Sequence, residues 1–204
     1  MTNQRNLGAV VAGYVASAAA YSQIPIPEWV GSGLGSPDIV RPLIALTLPT
    51  AALVMTLVFG SLFKREPTQP GDELSMETCQ RIASRLVLYI IALHAVMLSG
   101  LVGGSRWAAQ FVLVLVGITL MGIGNLLPRT RPNSVIGFRT ALTVRNRQAW
   151  IRLHRAAGRV TVGAGVAVAI AALLPRAGDD FVIPLISLIA AGLLLFYSAR
   201  QTGR

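Results

Sequence analysis

Residues 43–63, LIALTLPTAALVMTLVFGSLF, and residues 107–127, WAAQFVLVLVGITLMGIGNLL, contain no charged side chain. A helix rises 1.5 Å per residue, so about 20 apolar residues cross the roughly 30 Å hydrocarbon core of a bilayer. A helix that is apolar on every side has no water-facing surface, and it has to be buried in protein or in lipid. These two stretches decide the fold class: an all-α integral membrane protein.

Four further stretches extend the pattern outward. Residues 7–24, 86–104, 160–174 and 181–197 complete about six spans, which makes 1–204 a single membrane domain. The fifth is short and gains length if Ala156–Arg159 extends it, with Arg159 snorkelling to the headgroups. The first opens on Arg5, and its Ala16-Ser17-Ala18 run resembles a signal-peptide cleavage site. The recurrence of Gly8, Ala12, Ala16 and Ala20 reads instead as a packing stripe, and Gly163, Ala167 and Ala171 repeat it. Composition agrees: 53% of the 204 residues are hydrophobic and 13% charged, too few to clothe a water-soluble domain.

The net charge is +10, and every basic residue except Lys64 is arginine. Such an excess suits nucleic acid, anionic lipid or membrane topology, and position decides among them. Arg5, the 64–85 loop, the 128–159 loop and the C-terminus share fifteen of the eighteen basic residues. Only Arg41, Arg106 and Arg176 fall on the other side. Arginine and lysine accumulate in cytoplasmic loops, so both termini are expected in the cytoplasm of a plasma-membrane protein. Direct nucleic-acid binding is not needed to explain the charge. Cys79 is the sole cysteine, which excludes an intrachain disulfide, and two histidines are too few for a structural zinc site.

Between spans, the Pro-, Gly- and Ser-rich stretch 25–42 is expected to lack regular structure. In the 66–85 loop a helix is expected to start near Ser75 and feed the third span. The largest polar piece is Asn125–Arg159, NLLPRTRPNSVIGFRTALTVRNRQAWIRLHRAAGR. Pro128, Pro132, Asn133 and Gly137 suit turns in its first half. Its second half reads as an amphipathic helix capped by Thr143. Arg145, Arg152, Arg155 and Arg159 lie on one face, Ala149, Trp150, Leu153, Ala156, Ala157 and Val160 on the other, and His154 at the border. The apolar face suits insertion at the acyl boundary, with Arg reaching phosphates, or docking of a cytoplasmic protein.

From Gly124 onward the stretch resembles the signature of the SdpI family, the sporulation-delaying-toxin immunity proteins. The matching positions are Gly124, Asn125, Pro128, Pro132, Asn133, Gly137, Arg139, Thr140, Thr143, Trp150, His154, Arg155 and Gly158. Ala141-Leu142 stands where the family has Pro-Trp, and Phe138 and Leu153 also depart from it. Upstream only Pro25, Pro27, Gly35, Pro37 and Asp38 echo the family's extracytoplasmic element. The resemblance implies a multipass membrane protein that protects its cell from a secreted peptide toxin. It also implies possible binding of a cytoplasmic repressor.

Candidate partner- or lipid-binding residues are therefore Asn125, Pro128, Pro132, Asn133, Gly137, Arg139, Thr140, Trp150, His154 and Arg155. The partners are anionic headgroups, a peptide toxin and a repressor. Arg139-Thr140 suits a carboxylate or phosphate clamp, or a lipid phosphate contact. Asn125 suits capping of the fourth span's carbonyls. His94, inside the third span, has to face the bundle or a cavity. It reads as a proton- or ligand-linked group, or as a neutral histidine bonded to backbone or to Ser99. His154-Arg155 has no nucleophile or carboxylate nearby, so no acid–base chemistry is visible and no enzyme, cofactor or metal is expected. The alternatives are a small transporter-like carrier, for which intramembrane polar groups are scarce, and a structural subunit of a membrane complex.

Overall fold

The computed structural model describes residues 2–25, 37–66, 73–103, 108–139, 143 and 145–173. Among them every regular element is helical: α1 (Thr2–Ala20), α2 (Pro37–Arg65), α3 (Glu73–Gly103), α4 (Ala108–Gly124) and α5 (Arg147–Ala171). Among the described residues three stretches are long and apolar enough to cross a membrane, Ile39–Arg65, Glu73–Gly103 and Gln110–Arg129. The first contains the expected second span, 43–63, and the other two overlap the expected third and fourth over 86–103 and 110–127. The first expected span falls mostly on α1 and the fifth on the second half of α5, and neither meets that standard. The sixth, 181–197, lies outside the described residues.

α3 starts two residues before the expected Ser75. α2 starts six residues earlier than the expected span, so 37–42 is helix rather than irregular loop. Pro37 opens α2, where a fixed φ and a missing N–H cost nothing.

α1, α2 and α3 form one group. Val10, Ala52 and Val87 make one buried layer, and Ile24, Ala45 and Leu98 another. α4 packs on α3 and, most extensively, on α5. Two glycine pairs set that contact. A Cβ on Gly165 would stand 2.6 Å from the Gly117 carbonyl oxygen, and one on Gly158 would stand 2.6 Å from the Gly124 oxygen. Within each helix the two glycines are seven residues apart, so they recur on one face and bring the backbones together. The sequence reading placed the packing stripes elsewhere. Gly8, Ala12, Gly163 and Ala167 are exposed, and a Cβ on Gly8 or Gly163 would meet nothing within 4 Å. Ala16 and Ala20 of those stripes pack against the Ile24–Ala45–Leu98 layer, and Ala171 is half-buried.

Proline explains the polar node inside the first group. Pro49 lies within α2 and has no N–H, so the Ala45 carbonyl, four residues earlier, loses its helical donor. An unpaired carbonyl at membrane depth costs several kcal/mol by order of magnitude. The Ser17 hydroxyl of α1 donates to it at 2.6 Å. The same hydroxyl lies 3.0 Å from the Gly13 carbonyl of its own helix and 2.7 Å from His94 Nε2 on α3; with its one proton on the shorter bond to Ala45, the Ser17 oxygen accepts from Nε2. One proline thus accounts for a serine and a histidine on two other helices. Ser99, the partner considered from sequence, bonds the Val96 carbonyl of its own turn instead.

Candidate functional site

Beyond the glycine pairs, at the arginine-rich end, the Asn125–Arg139 segment folds back between the first turns of α3 and α5 and forms a small cap. Pro128, in the 3-10 turn Leu127–Arg129, lies where a Cβ on Gly158 would reach its ring at 2.9 Å. Leu126 and Leu127 are buried with Ile82 of α3 and Ala157 of α5, and Ile136 packs on them.

Polar bonds hold the fold-back in place. The Arg131 N–H donates to Ser75 Oγ at 2.7 Å, tying it to α3. Asn133 Oδ1 accepts from the Val135 and Ile136 N–H groups at 2.9 and 2.7 Å, the side-chain turn for which asparagine is suited. Its Nδ2 donates to the Arg131 carbonyl at 2.8 Å and lies 3.5 Å from the buried Cys79 sulfur. Ser134 donates through both its N–H and its hydroxyl to the Glu66 carboxylate just past α2. The segment is therefore fastened to α2 and α3 before the chain reaches α5.

The centre of the cap is Trp150 and His154, one turn apart on α5 and both fully buried. Their rings stack at 4.0 Å with planes 13° apart, and Phe138 covers the imidazole at 5.9 Å. Trp150 Nε1 donates to the Thr130 carbonyl at 3.0 Å. The Phe138 N–H lies 3.0 Å from His154 Nε2, and His154 Nδ1 lies 2.9 Å from the Trp150 carbonyl. An amide N–H only donates and a carbonyl only accepts, so Nε2 is bare and Nδ1 carries the proton. The imidazole is neutral. Burial pushes its pKa below the ordinary value, opposed in part by the bond to the Trp150 carbonyl. Gly137 has φ +140°, and a Cβ there would fall 2.6 Å from Trp150 and 2.7 Å from His154 Nε2. Only glycine fits between strap and rings.

Several expectations change. Trp150 and Leu153 do not face lipid, as was expected of them, because both are buried within the chain, Trp150 under the folded-back segment. His154 sits in the interior, not at the border. The helix cap is Asn146, whose Oδ1 accepts from the Gln148 and Ala149 N–H groups, and not Thr143, whose hydroxyl donates to the Phe138 carbonyl. α5 runs unbroken from the cap into the apolar stretch, so its amphipathic half continues the axis of that stretch.

The structure brings Pro128, Asn133, Gly137, Trp150 and His154 together, with Pro132 half-buried beside them. Arg139, which donates to the Ser134 carbonyl at 3.0 Å, and Arg155 are exposed, as is Asn125. Thr140 lies outside the described residues. His94 is far along α3 and belongs to the Pro49 node. Thr130, Ser75, Glu66 and Asn146 are the residues that sequence reasoning missed. Each bonds through or to a backbone group, which leaves no compositional trace; only the Asn146 cap before a periodic run was there to be read. Among the described residues no group of three or more His, Cys, Asp or Glu side chains could hold a metal ion.

Residues 129–198 match the model of the SdpI/YfhL protein family, a range that begins within the cap. No curated protein and no solved structure matches the chain.

Proposed function

We propose, from the match of residues 129–198 to the SdpI/YfhL protein family, that this membrane protein gives resistance to a secreted peptide toxin and transmits the encounter to a cytoplasmic partner, such as a repressor. It acts by binding and conformation, without chemistry. The arginine-rich end faces the cytoplasm and the membrane is the plasma membrane, as the arginine distribution predicts. One observation supports this reading above the others: the segment that carries the signature is bonded as a cap to the ends of α2, α3 and α5, through Arg131, Ser134 and Phe138. A shift of those helices on the outer side has a rigid piece to move on the inner side, and Arg139 and Arg155 lie exposed on that piece.

The experiment is deletion of the gene followed by challenge with peptides secreted by the same strain, with complementation by wild type and by Arg139→Ala/Arg155→Ala. Sensitivity on deletion, not rescued by the double variant although it inserts normally, is the expected result. Unchanged sensitivity on deletion refutes the reading. The second reading, a subunit of a larger membrane complex, is favoured by the exposed small residues Gly8, Ala12, Gly163 and Ala167. Co-purification of a stoichiometric membrane partner would select it.

A further inference from the structure

The outer face of α5 changes character along its length. At 100° per residue Arg152, Arg155 and Arg159 fall within about 60° of one another, and all three are exposed. One turn on, the same arc presents Gly163, Val166 and Ile170, also exposed and wholly apolar. A face about 100° round the helix is held against α4 at Gly158 and Gly165 through both halves. A single straight helix with one side fixed on a candidate span thus passes abruptly from guanidinium groups to bare hydrocarbon.

From this juxtaposition we propose that Arg152, Arg155 and Arg159 form a binding ridge for the phosphates of anionic phospholipids in the leaflet at the cap end. The inference rests on the membrane reading above and adds a ligand class to it.

Height selects lipid over a protein partner. Arg155 stands about 6 Å and Arg152 about 10 Å along the axis from Arg159. The headgroup layer on each side of a bilayer is about 5–8 Å thick. If Arg159 marks the hydrocarbon edge, Arg155 lies among the phosphates and Arg152 reaches down to them with its flexible stem. Charge agrees with height. No Asp or Glu occurs between Glu77 and Asp179, and among the described residues none of the three guanidinium groups has an acidic partner. A planar guanidinium matches phosphate through paired N–H donors.

The test uses the full chain in detergent, titrated with phosphatidylglycerol or phosphatidylcholine and read by native mass spectrometry. Arg152→Gln/Arg155→Gln/Arg159→Gln is compared with wild type and with a charge control, Lys64→Gln/Arg65→Gln. A basic residue at an anionic surface contributes about fivefold, so the triple variant should lose about a hundredfold in phosphatidylglycerol affinity and nothing for phosphatidylcholine. The control should change far less. Equal loss in the control, or no preference for phosphatidylglycerol in wild type, overturns the proposal. So does binding of polyglutamate to the ridge without lipid binding. Release of phosphatidylglycerol by inorganic phosphate at equal concentration would reassign the ridge to a free phosphate and overturn the lipid source. A monodisperse chain in detergent-free buffer would instead refute the membrane reading itself.

Discussion

Replacing Ser17 by alanine should cost more stability than a lone hydroxyl suggests, and Pro49 should decide how much. In the wild-type chain the Ser17 hydroxyl serves the Ala45 carbonyl and the His94 ring together, and both Ser17 and His94 are buried. Its loss leaves two buried polar groups unpaired, each costing about 1–3 kcal/mol, so about 2–4 kcal/mol is expected after partial relaxation. With Pro49→Ala the new amide N–H of residue 49 can serve the Ala45 carbonyl along the helix. Ser17→Ala then strands only His94, and its cost should fall by about 1–2 kcal/mol, the coupling energy of a double-mutant cycle. Cys79 supplies the assay. It is the sole cysteine and is buried, so a thiol-reactive dye reports unfolding of the detergent-solubilised chain as temperature rises. Ser99→Ala is the reference, because Ser99 is exposed and bonds only its own turn. If Ser17→Ala costs the same in both backgrounds, or no more than Ser99→Ala, the linkage from Pro49 through Ser17 to His94 is refuted.

The glycine pairs make a contrast within one helix. Gly165→Ala should lower the Cys79 labelling temperature, because its Cβ meets backbone of α4 and overpacking costs about 1–3 kcal/mol, whereas Gly163→Ala should raise that temperature through a helix-propensity gain of up to about 1 kcal/mol. Equal effects of the two would refute the close approach of α4 and α5. For His154 the folded pKa lies below the unfolded value near 6.5, so the unfolded chain takes the proton first as pH falls. Stability is thus full above that value and declines below it, by at most about 1.4 kcal/mol at pH about 5.5, and His154→Gln should flatten the profile relative to wild type. An identical pH profile in that variant would refute the neutral tautomer.

The sequence made the apolar helices plain because lipid asks little of a span beyond length and hydropathy, and α2, α3 and α4 meet both. It also sorted the faces of α5: Arg152, Arg155 and Arg159 are exposed, and Ala149, Trp150, Leu153 and Ala157 are buried. What it did not reveal was the identity of the neighbours. An apolar arc reads the same whether lipid or protein covers it, and here the Asn125–Arg139 segment does, through bonds to backbone groups. Small residues are likewise ambiguous. Gly163 and Gly165 differ by one step on each side of Ala164, yet only Gly165 meets another backbone.

The same distinction separates folding from signalling among the signature residues. Asn133, Gly137, Trp150 and His154 are occupied with one another and with the strap, so alanine at any of them disturbs the cap before it disturbs a partner. Loss of protection in a His154→Ala variant would therefore not distinguish a lost contact from a lost fold. Arg139 and Arg155 are different. Both are exposed, and the bond that Arg139 makes among the described residues, to the Ser134 carbonyl, joins two positions of the same segment. Their removal should change the stability read by Cys79 labelling by no more than about 0.5 kcal/mol. A partner or a lipid that reads the cap from outside has to do so through residues of this exposed kind, so protection lost in Arg139→Ala/Arg155→Ala belongs to such recognition and not to the fold, and Arg139→Ala alone separates the partner from the lipid ridge.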